Sequence, residues 1–261
     1  MASMDRSDAQ VLMAHVLGVN RAWIAANPMR ILTESEDAKI DMLAVERAMG
    51  RPVAYLLGSR EFYGYDFAVD PAVLIPRPET ETLVEAALAR LAPEDSCLDL
   101  GTGSGAIAVT IAKQRPRGRV VATDASAAAL ALARRNADRH ECADRIEFLE
   151  GPWFAPVGER RFDVIVSNPP YVAAGDPHLA RGDLRFEPQG ALTDGSADGL
   201  DSIRAIVAGA SAHLNQRGWL LLEHGYDQAP AVRALLEAAG YRDRVSIPDL
   251  AGIPRVAGGK I

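Results

Sequence analysis

Leu98-Asp99-Leu100-Gly101-Thr102-Gly103-Ser104-Gly105-Ala106 is the stretch whose reading sets the fold. Residues 97–100 form a short apolar run with the character of a buried strand, and residues 106–114 read as a helix. Between them Gly101, Gly103 and Gly105 alternate with Thr102 and Ser104. Glycine accepts the positive φ of a tight turn and lets the backbone approach a ligand closely. A strand that turns through glycines straight into a helix opens an α/β unit.

The pattern continues on the C-terminal side. Strands are expected at 119–123, 146–149, 162–167 and 219–223, with weaker ones near 242–247 and 254–256. Helices are expected at 126–139, 202–214 and 228–239. This alternation predicts a doubly wound, mostly parallel sheet. Asp124 ends the second strand, where a carboxylate typically accepts hydrogen bonds from ribose hydroxyls. Two cofactor classes fit the loop. Gly101-x-Gly103-x-x-Ala106 matches a dinucleotide fingerprint. The tighter glycine spacing, with Asp99 just before it, suits S-adenosylmethionine, whose cationic amino group would find a charge partner in Asp99.

Ser167-Asn168-Pro169-Pro170-Tyr171 decides between them. It follows the apolar strand 162–166, and two consecutive prolines, lacking N–H donors, stop that strand and hold the backbone extended. In open α/β sheets ligands bind at the carboxyl ends of strands. There the side-chain amide of Asn168 and the carbonyl of Pro169 offer a pair of acceptors for a substrate –NH2. Such a pair orients a conjugated, weakly nucleophilic nitrogen and favours the positive charge it develops on attack. Tyr171 is placed to pack on a flat substrate. A hydride-transfer enzyme has no evident need of this tip, so the loop is read as an S-adenosylmethionine site.

Residues 1–58 carry helical spacing and no strand signature, with helices expected at 9–17 and 35–49. They are read as a small helical substrate-recognition domain. Residues 59–80 follow as a β-hairpin, turning near Gly64, and a linker; 81–261 form the catalytic domain. In the linker, Arg77 is restrained between Pro76 and Pro78 and could close over an anionic ligand. Glu187-Pro188, beyond the proline tip, is a candidate wall of the substrate pocket.

The net charge of -7 argues against stable binding of long nucleic acid through its phosphates. No run of 18 apolar residues and no cleavable leader pattern is present, and Cys97 and Cys142 have neither metal nor redox spacing, so a cytoplasmic protein is expected. The histidines form no metal-spaced pair, and no metal is expected. No general base is obvious; a methylated amide nitrogen carries a proton acidic enough to leave to water.

Asn168-Pro169-Pro170-Tyr171 resembles the signature of methyltransferases acting on planar amide or exocyclic amine nitrogens. Arg60-Glu61-Phe62, Leu74-Ile75-Pro76-Arg77-Pro78-Glu79-Thr80-Glu81, the 98–105 loop, Trp153-Phe154, Arg185-Phe186-Glu187-Pro188 and Leu221-Leu222-Glu223-His224-Gly225 narrow the resemblance to the HemK/PrmC family, the release-factor glutamine methyltransferases. It covers the chain from about Pro52 onward. It implies a seven-stranded S-adenosylmethionine-dependent methyltransferase fold. It also implies methyl transfer to the Gln of the Gly-Gly-Gln motif in peptide-chain release factors. Gly101, Thr102, Gly103, Ser104 and Gly105 would then wrap the methionine part of the cofactor, Asp124 the ribose, and Trp153 would lie by the adenine. Asn168, which also borders the cofactor, would hold the Gln together with Pro169, Pro170 and Tyr171. Gly151-Pro152 stands where the family pattern has an acidic residue before Trp153. Rival readings are a glutamine methyltransferase of a ribosomal protein, an adenine methyltransferase acting on a flipped base, and a non-enzymatic nucleotide-sensing module.

Overall fold

The computed structural model describes residues 5–261, so residues 1–4 of the expected helical domain lie outside the described part. The chain begins with α1 (Arg6–Leu17), α2 (Arg21–Ala26), α3 (Glu34–Ala48) and α4 (Val53–Leu57). Their ends are set by side chains. Asp5, Asn20 and Thr33 accept backbone N–H groups in the first turns of α1, α2 and α3, and Thr33 with Glu36 completes a capping box. Helices α1 and α3 are legible as apolar stripes, whereas α2 and α4 are too short to show one. The hairpin follows as β1 (Ser59–Phe62) and β2 (Tyr65–Ala68), and its buried Phe62 and Phe67 join the main core.

The main sheet contains β3 (Ser96–Leu100), β4 (Arg119–Asp124), β5 (Ile146–Glu150), β6 (Phe162–Ser167), β7 (Leu214–Glu223), β8 (Arg242–Pro248) and β9 (Pro254–Lys260). Its seven strands lie in the order β5-β4-β3-β6-β7-β9-β8. Pairings from β5 to β7 are parallel, and β9 runs antiparallel between β7 and β8. Helices α5 (Glu81–Leu88), α6 (Ala106–Gln114), α7 (Ala127–Arg139), α8 (Gln189–Leu192), α9 (Asp201–Ala210) and α10 (Ala229–Ala238) complete the unit.

Side-chain alternation along the strands fills both faces. Cys97, Val120, Ala122, Val164, Val166 and Leu221 pack with Leu83 of α5 and Ile111 of α6. Leu98, Leu100, Val121, Ile165, Leu220 and Leu222 pack with Ile203 of α9 and Leu236 of α10. Burying both faces explains why the parallel strands read as unbroken apolar runs.

Register aligns the strand tips. Leu100 pairs with both Thr123 and Ser167, and Ser167 pairs with Leu222. Ser167 Oγ also donates to Leu100 O at 2.7 Å. The next residues along the four strands, Asp124, Gly101, Asn168 and Glu223, therefore emerge side by side at the carboxyl edge, where ligands bind in this architecture.

Candidate active site

A cavity of about 600 Å³ opens at that edge. Its wall brings together Arg77, Thr80, Gly101, Thr102, Gly103, Ser104, Asp124, Trp153, Asn168 and Pro170. The volume is that of a small-molecule site.

The glycine loop is shaped by its neighbours. Gly101 and Gly103 have φ of 71° and 56°, in the region glycine tolerates best. Asp124 accepts the Gly103 N–H through Oδ2 and the Ser126 N–H through Oδ1, each at 2.9 Å. A Cβ placed on Gly103 would meet nothing within 4 Å, so this part of the loop faces open cavity. Gly105 differs. It does not line the cavity, and a Cβ there would come within 3.1 Å of Ala133 Cβ. Its smallness serves the approach of α7 rather than contact with a ligand. Buried Asn136, unnoticed in the sequence, ties the loop to the hairpin. Its Nδ2 donates to Ser104 O at 2.8 Å and its Oδ1 accepts the Ala68 N–H at 2.8 Å.

Asp99 is fully buried and is not on the cavity wall. Oδ2 accepts the Thr102 hydroxyl at 2.7 Å and Oδ1 makes no hydrogen bond to the described residues. Burial pushes its carboxyl up to about 7 against the Thr102 hydrogen bond. The geometry therefore gives it a role behind the loop, bracing Thr102, instead of the direct contact with a cofactor amino group that its place in the sequence suggests.

Trp153 borders the cavity near Gly101, with φ of 46°. The Thr123 hydroxyl donates to its carbonyl at 3.0 Å and holds this left-handed turn.

Asn168 lies on the same wall as the glycine loop, and its Nδ2 donates to Thr80 Oγ1 at 3.1 Å. Oδ1 accepts nothing from the described residues and stays available. Pro170 also lines the cavity, whereas Pro169 is buried. Tyr171 is partly buried at the end of the tip and is not among the residues that line the cavity. Its hydroxyl donates to Glu223 Oε1 at 3.2 Å, its ring joins the α9/α10 side of the core, and its carbonyl accepts from Gln228 Nε2 at 3.0 Å. Desolvation and the neighbouring Glu223 push its phenol pKa up, so it remains a donor.

Arg77 reaches the cavity, but its guanidinium is paired with Glu187. The buried Glu187 also accepts the Ile75 N–H at 3.0 Å. Arg77 is thus already neutralised by a protein carboxylate, which speaks against its clamping an anion. Glu187 anchors the wall from behind, and Pro188, Gly190, Ala191 and Thr193 form the surface. Thr80 and Glu223 are remote from Asn168 in the sequence, and only the fold brings Thr80 into hydrogen-bond contact with it and Glu223 to the neighbouring strand tip. Among the described residues no cluster of three or more His, Cys, Asp or Glu side chains is arranged to hold a metal.

An open glycine loop, an acid at the next strand tip, an indole beside them and an Asn-Pro-Pro tip in one cavity define, on this sheet, a methyltransferase of the S-adenosylmethionine-dependent class. Solved structures share the fold. A methyltransferase from Pyrococcus furiosus matches with TM-score 0.57 at 18% identity, covering 84% of this chain and 98% of that one. The 16S rRNA N2 G1207 methyltransferase of T. thermophilus, in complex with AdoMet and guanosine, matches with TM-score 0.57 at 23% identity over 77% of this chain and 49% of that one. By sequence, residues 78–182 match the methyltransferase small domain and residues 2–58 the PrmC N-terminal domain. Release factor glutamine methyltransferase of Burkholderia pseudomallei is 52% identical, covering 99% of this chain and 93% of the relative. That of Neisseria gonorrhoeae is 49% identical, covering 100% and 95%, and that of Pseudomonas aeruginosa 48%, covering 98% and 92%. The chain belongs to the release factor glutamine methyltransferase family.

Proposed function

We propose that the protein transfers a methyl group from S-adenosylmethionine to the side-chain amide nitrogen of the Gln in the Gly-Gly-Gln motif of peptide-chain release factors. The observation that carries the reading is the side-chain amide of Asn168, placed on the wall of the glycine-loop cavity with its Nδ2 engaged and its Oδ1 open. The residues present fit the cofactor. Gly101 to Ser104 give a backbone face with open space over Gly103, Asp124 offers carboxylate oxygens for a ribose, and Trp153 offers a ring for the adenine. Bound there, S-adenosylmethionine supplies an electrophilic methyl group.

The chain's own residues do the rest. Asn168 Oδ1 and the Pro169 carbonyl accept the two N–H bonds of the substrate amide. Its lone pair is delocalised into the carbonyl, so orientation and charge stabilisation are what it lacks. Fixed acceptors supply both, because they hold the nitrogen in place and favour the positive charge it gains. Once methylated, the nitrogen passes a proton to water. With its net charge of -7 the protein is not suited to holding a nucleic-acid backbone, which favours a protein substrate. We place the enzyme in the cytoplasm with its substrate; no described helix is long and apolar enough to cross a membrane.

Incubation with labelled S-adenosylmethionine and, separately, a release factor, a ribosomal protein and an adenine-containing oligonucleotide tests the substrate. One methyl group on the Gly-Gly-Gln glutamine is the expected product. Label confined to the ribosomal protein or to adenine would overturn the reading.

A further inference from the structure

A substrate amide has two ends. Asn168 Oδ1 and the Pro169 carbonyl answer its –NH2 as acceptors, which leaves its carbonyl oxygen in need of a donor. Left unpaired in a closed pocket, that oxygen would cost binding. Among the described residues that line the cavity, Arg77 is the only cationic one. It stands one turn from Asn168. The Thr80 N–H donates to Arg77 O at 3.1 Å, and the Thr80 hydroxyl accepts the Asn168 Nδ2–H at 3.1 Å.

The guanidinium carries five N–H bonds in a fixed fork. Its Nη2 donates to Glu187 Oε1, and its other nitrogens make no hydrogen bond to the described residues. The Arg77 side chain is 30% exposed, whereas that of Glu187 is wholly enclosed. Glu187 Oε2 accepts the Ile75 N–H at 3.0 Å, so one carboxylate grips both the linker backbone and the Arg77 fork. Pro76 and Pro78 keep the Arg77 backbone extended, at φ -104° and ψ 143°. A carboxylate is expensive to bury, and an apolar residue would pack the wall without that cost. What the carboxylate adds is charge, and it cancels that of Arg77.

That cancellation matters for this reaction. A cation at the carbonyl oxygen draws the amide lone pair toward the carbonyl and makes the nitrogen a poorer nucleophile. A bare guanidinium also favours a carboxylate over an amide. The neutral pair keeps the N–H donors and avoids both effects.

We propose that an Arg77 N–H donates to the carbonyl oxygen of the target amide, so that the Arg77–Glu187 pair sets the pocket's choice of Gln over Glu. Glu187 acts through Arg77 as a positioning residue, and by cancelling its charge it keeps the amide nitrogen reactive. This inference rests on the proposed amide substrate and on Asn168 as its acceptor.

Propionamide and propionate, small mimics of the Gln and Glu side chains, test it by NMR titration of the full-length protein saturated with S-adenosylhomocysteine. The wild type should prefer propionamide. Glu187→Gln, which keeps the shape, should raise propionate affinity on the order of ten-fold and reverse the preference. Adding Arg77→Met to that variant should abolish the gain, an outcome that a merely disturbed wall would not produce. On a release factor, Glu187→Gln should lower kcat on the order of ten-fold without raising KM, and Arg77→Met should raise KM by a similar factor. No propionamide binding by the wild type, or the same amide-to-carboxylate preference in wild type and Glu187→Gln, would overturn the proposal. So would an unchanged KM in Arg77→Met. A preference reversed by Glu187→Gln, in a protein that transfers no methyl group to a release factor, would instead strike the substrate reading and leave the donor assignment standing.

Discussion

Asp124 has two connections, the Gly103 N–H through Oδ2 and the Ser126 N–H through Oδ1. Asp124→Ala should weaken S-adenosylmethionine binding by roughly 1.5–3 kcal/mol, the loss expected for a charge-assisted hydrogen bond. Calorimetry showing unchanged affinity would remove it from the site. Asp99 and Asp124 look alike in the sequence, each near the C-terminal end of a strand that flanks the loop. The difference lies in exposure, since one tip carboxylate reaches the cavity and the other is enclosed behind it. The enclosed one has a pH signature. Its pKa rises from 3.8 to about 7 on folding, so between those values the folded protein binds a proton that the unfolded chain releases. Stability must fall as pH rises through that window, by about 4 kcal/mol at most, and level off above it. Asp99→Asn should flatten this fall, measured by denaturant titration of the ligand-free protein at pH 5 and pH 8. An equal fall in both proteins would contradict the assignment.

At the scale of elements, the strand–loop–helix unit and the proline tip were readable because strong local rules govern them, namely glycine turns, proline breaks and apolar runs. The sequence pattern predicts β9 only as far as Val256, whereas the strand runs to Lys260. Its Gly258 and Gly259 look like loop, but a Cβ on Gly258 would stand 2.2 Å from Leu220 O, so the strand pairing itself demands the missing side chain. The hold on the proline tip was hidden for a similar reason, since its partners are remote in sequence. Val172 N donates to Leu192 O at 2.9 Å, Ala174 N to Ser196 O at 2.7 Å, and a Cβ on Gly199 would lie 2.2 Å from Tyr171 O. Gly199→Ala must therefore displace the tip. It should lower turnover on the order of ten-fold or more while cofactor affinity changes little, since the loop 101–105 is untouched. Unaltered kcat in a folded variant would show that the tip tolerates the shift.

On the scale of the molecule, the helical region is fastened to the segment that carries Glu187. Arg47 of α3 bonds Asp8 at 2.7 Å and Asp183 at 2.8 Å, and Arg185 donates to Met49 O at 2.6 Å. We propose the region as the recognition module for the protein substrate, and it exposes large apolar side chains at Met29 (88%) and Ile31 (89%). Exposed apolar residues of this kind mark interaction surfaces when they cluster. Met29→Asp combined with Ile31→Asp should raise KM for an intact release factor several-fold, with S-adenosylmethionine affinity unchanged. Unchanged KM would assign recognition elsewhere. None of these ties was legible in the sequence, because each joins residues far apart in the chain through single side chains.

The central claim is that Asn168 accepts hydrogen bonds from the substrate amide and so makes a poor nucleophile reactive. Its most direct test is single-turnover methyl transfer by Asn168→Ala to a release factor, alongside calorimetry with S-adenosylmethionine and circular dichroism. Removing one preorganised acceptor should slow transfer on the order of 100- to 1000-fold with far less change in cofactor affinity, and Asn168→Asp, which keeps an acceptor, should retain more activity than Asn168→Ala. Transfer by a folded Asn168→Ala within a few-fold of the wild-type rate would contradict the mechanism.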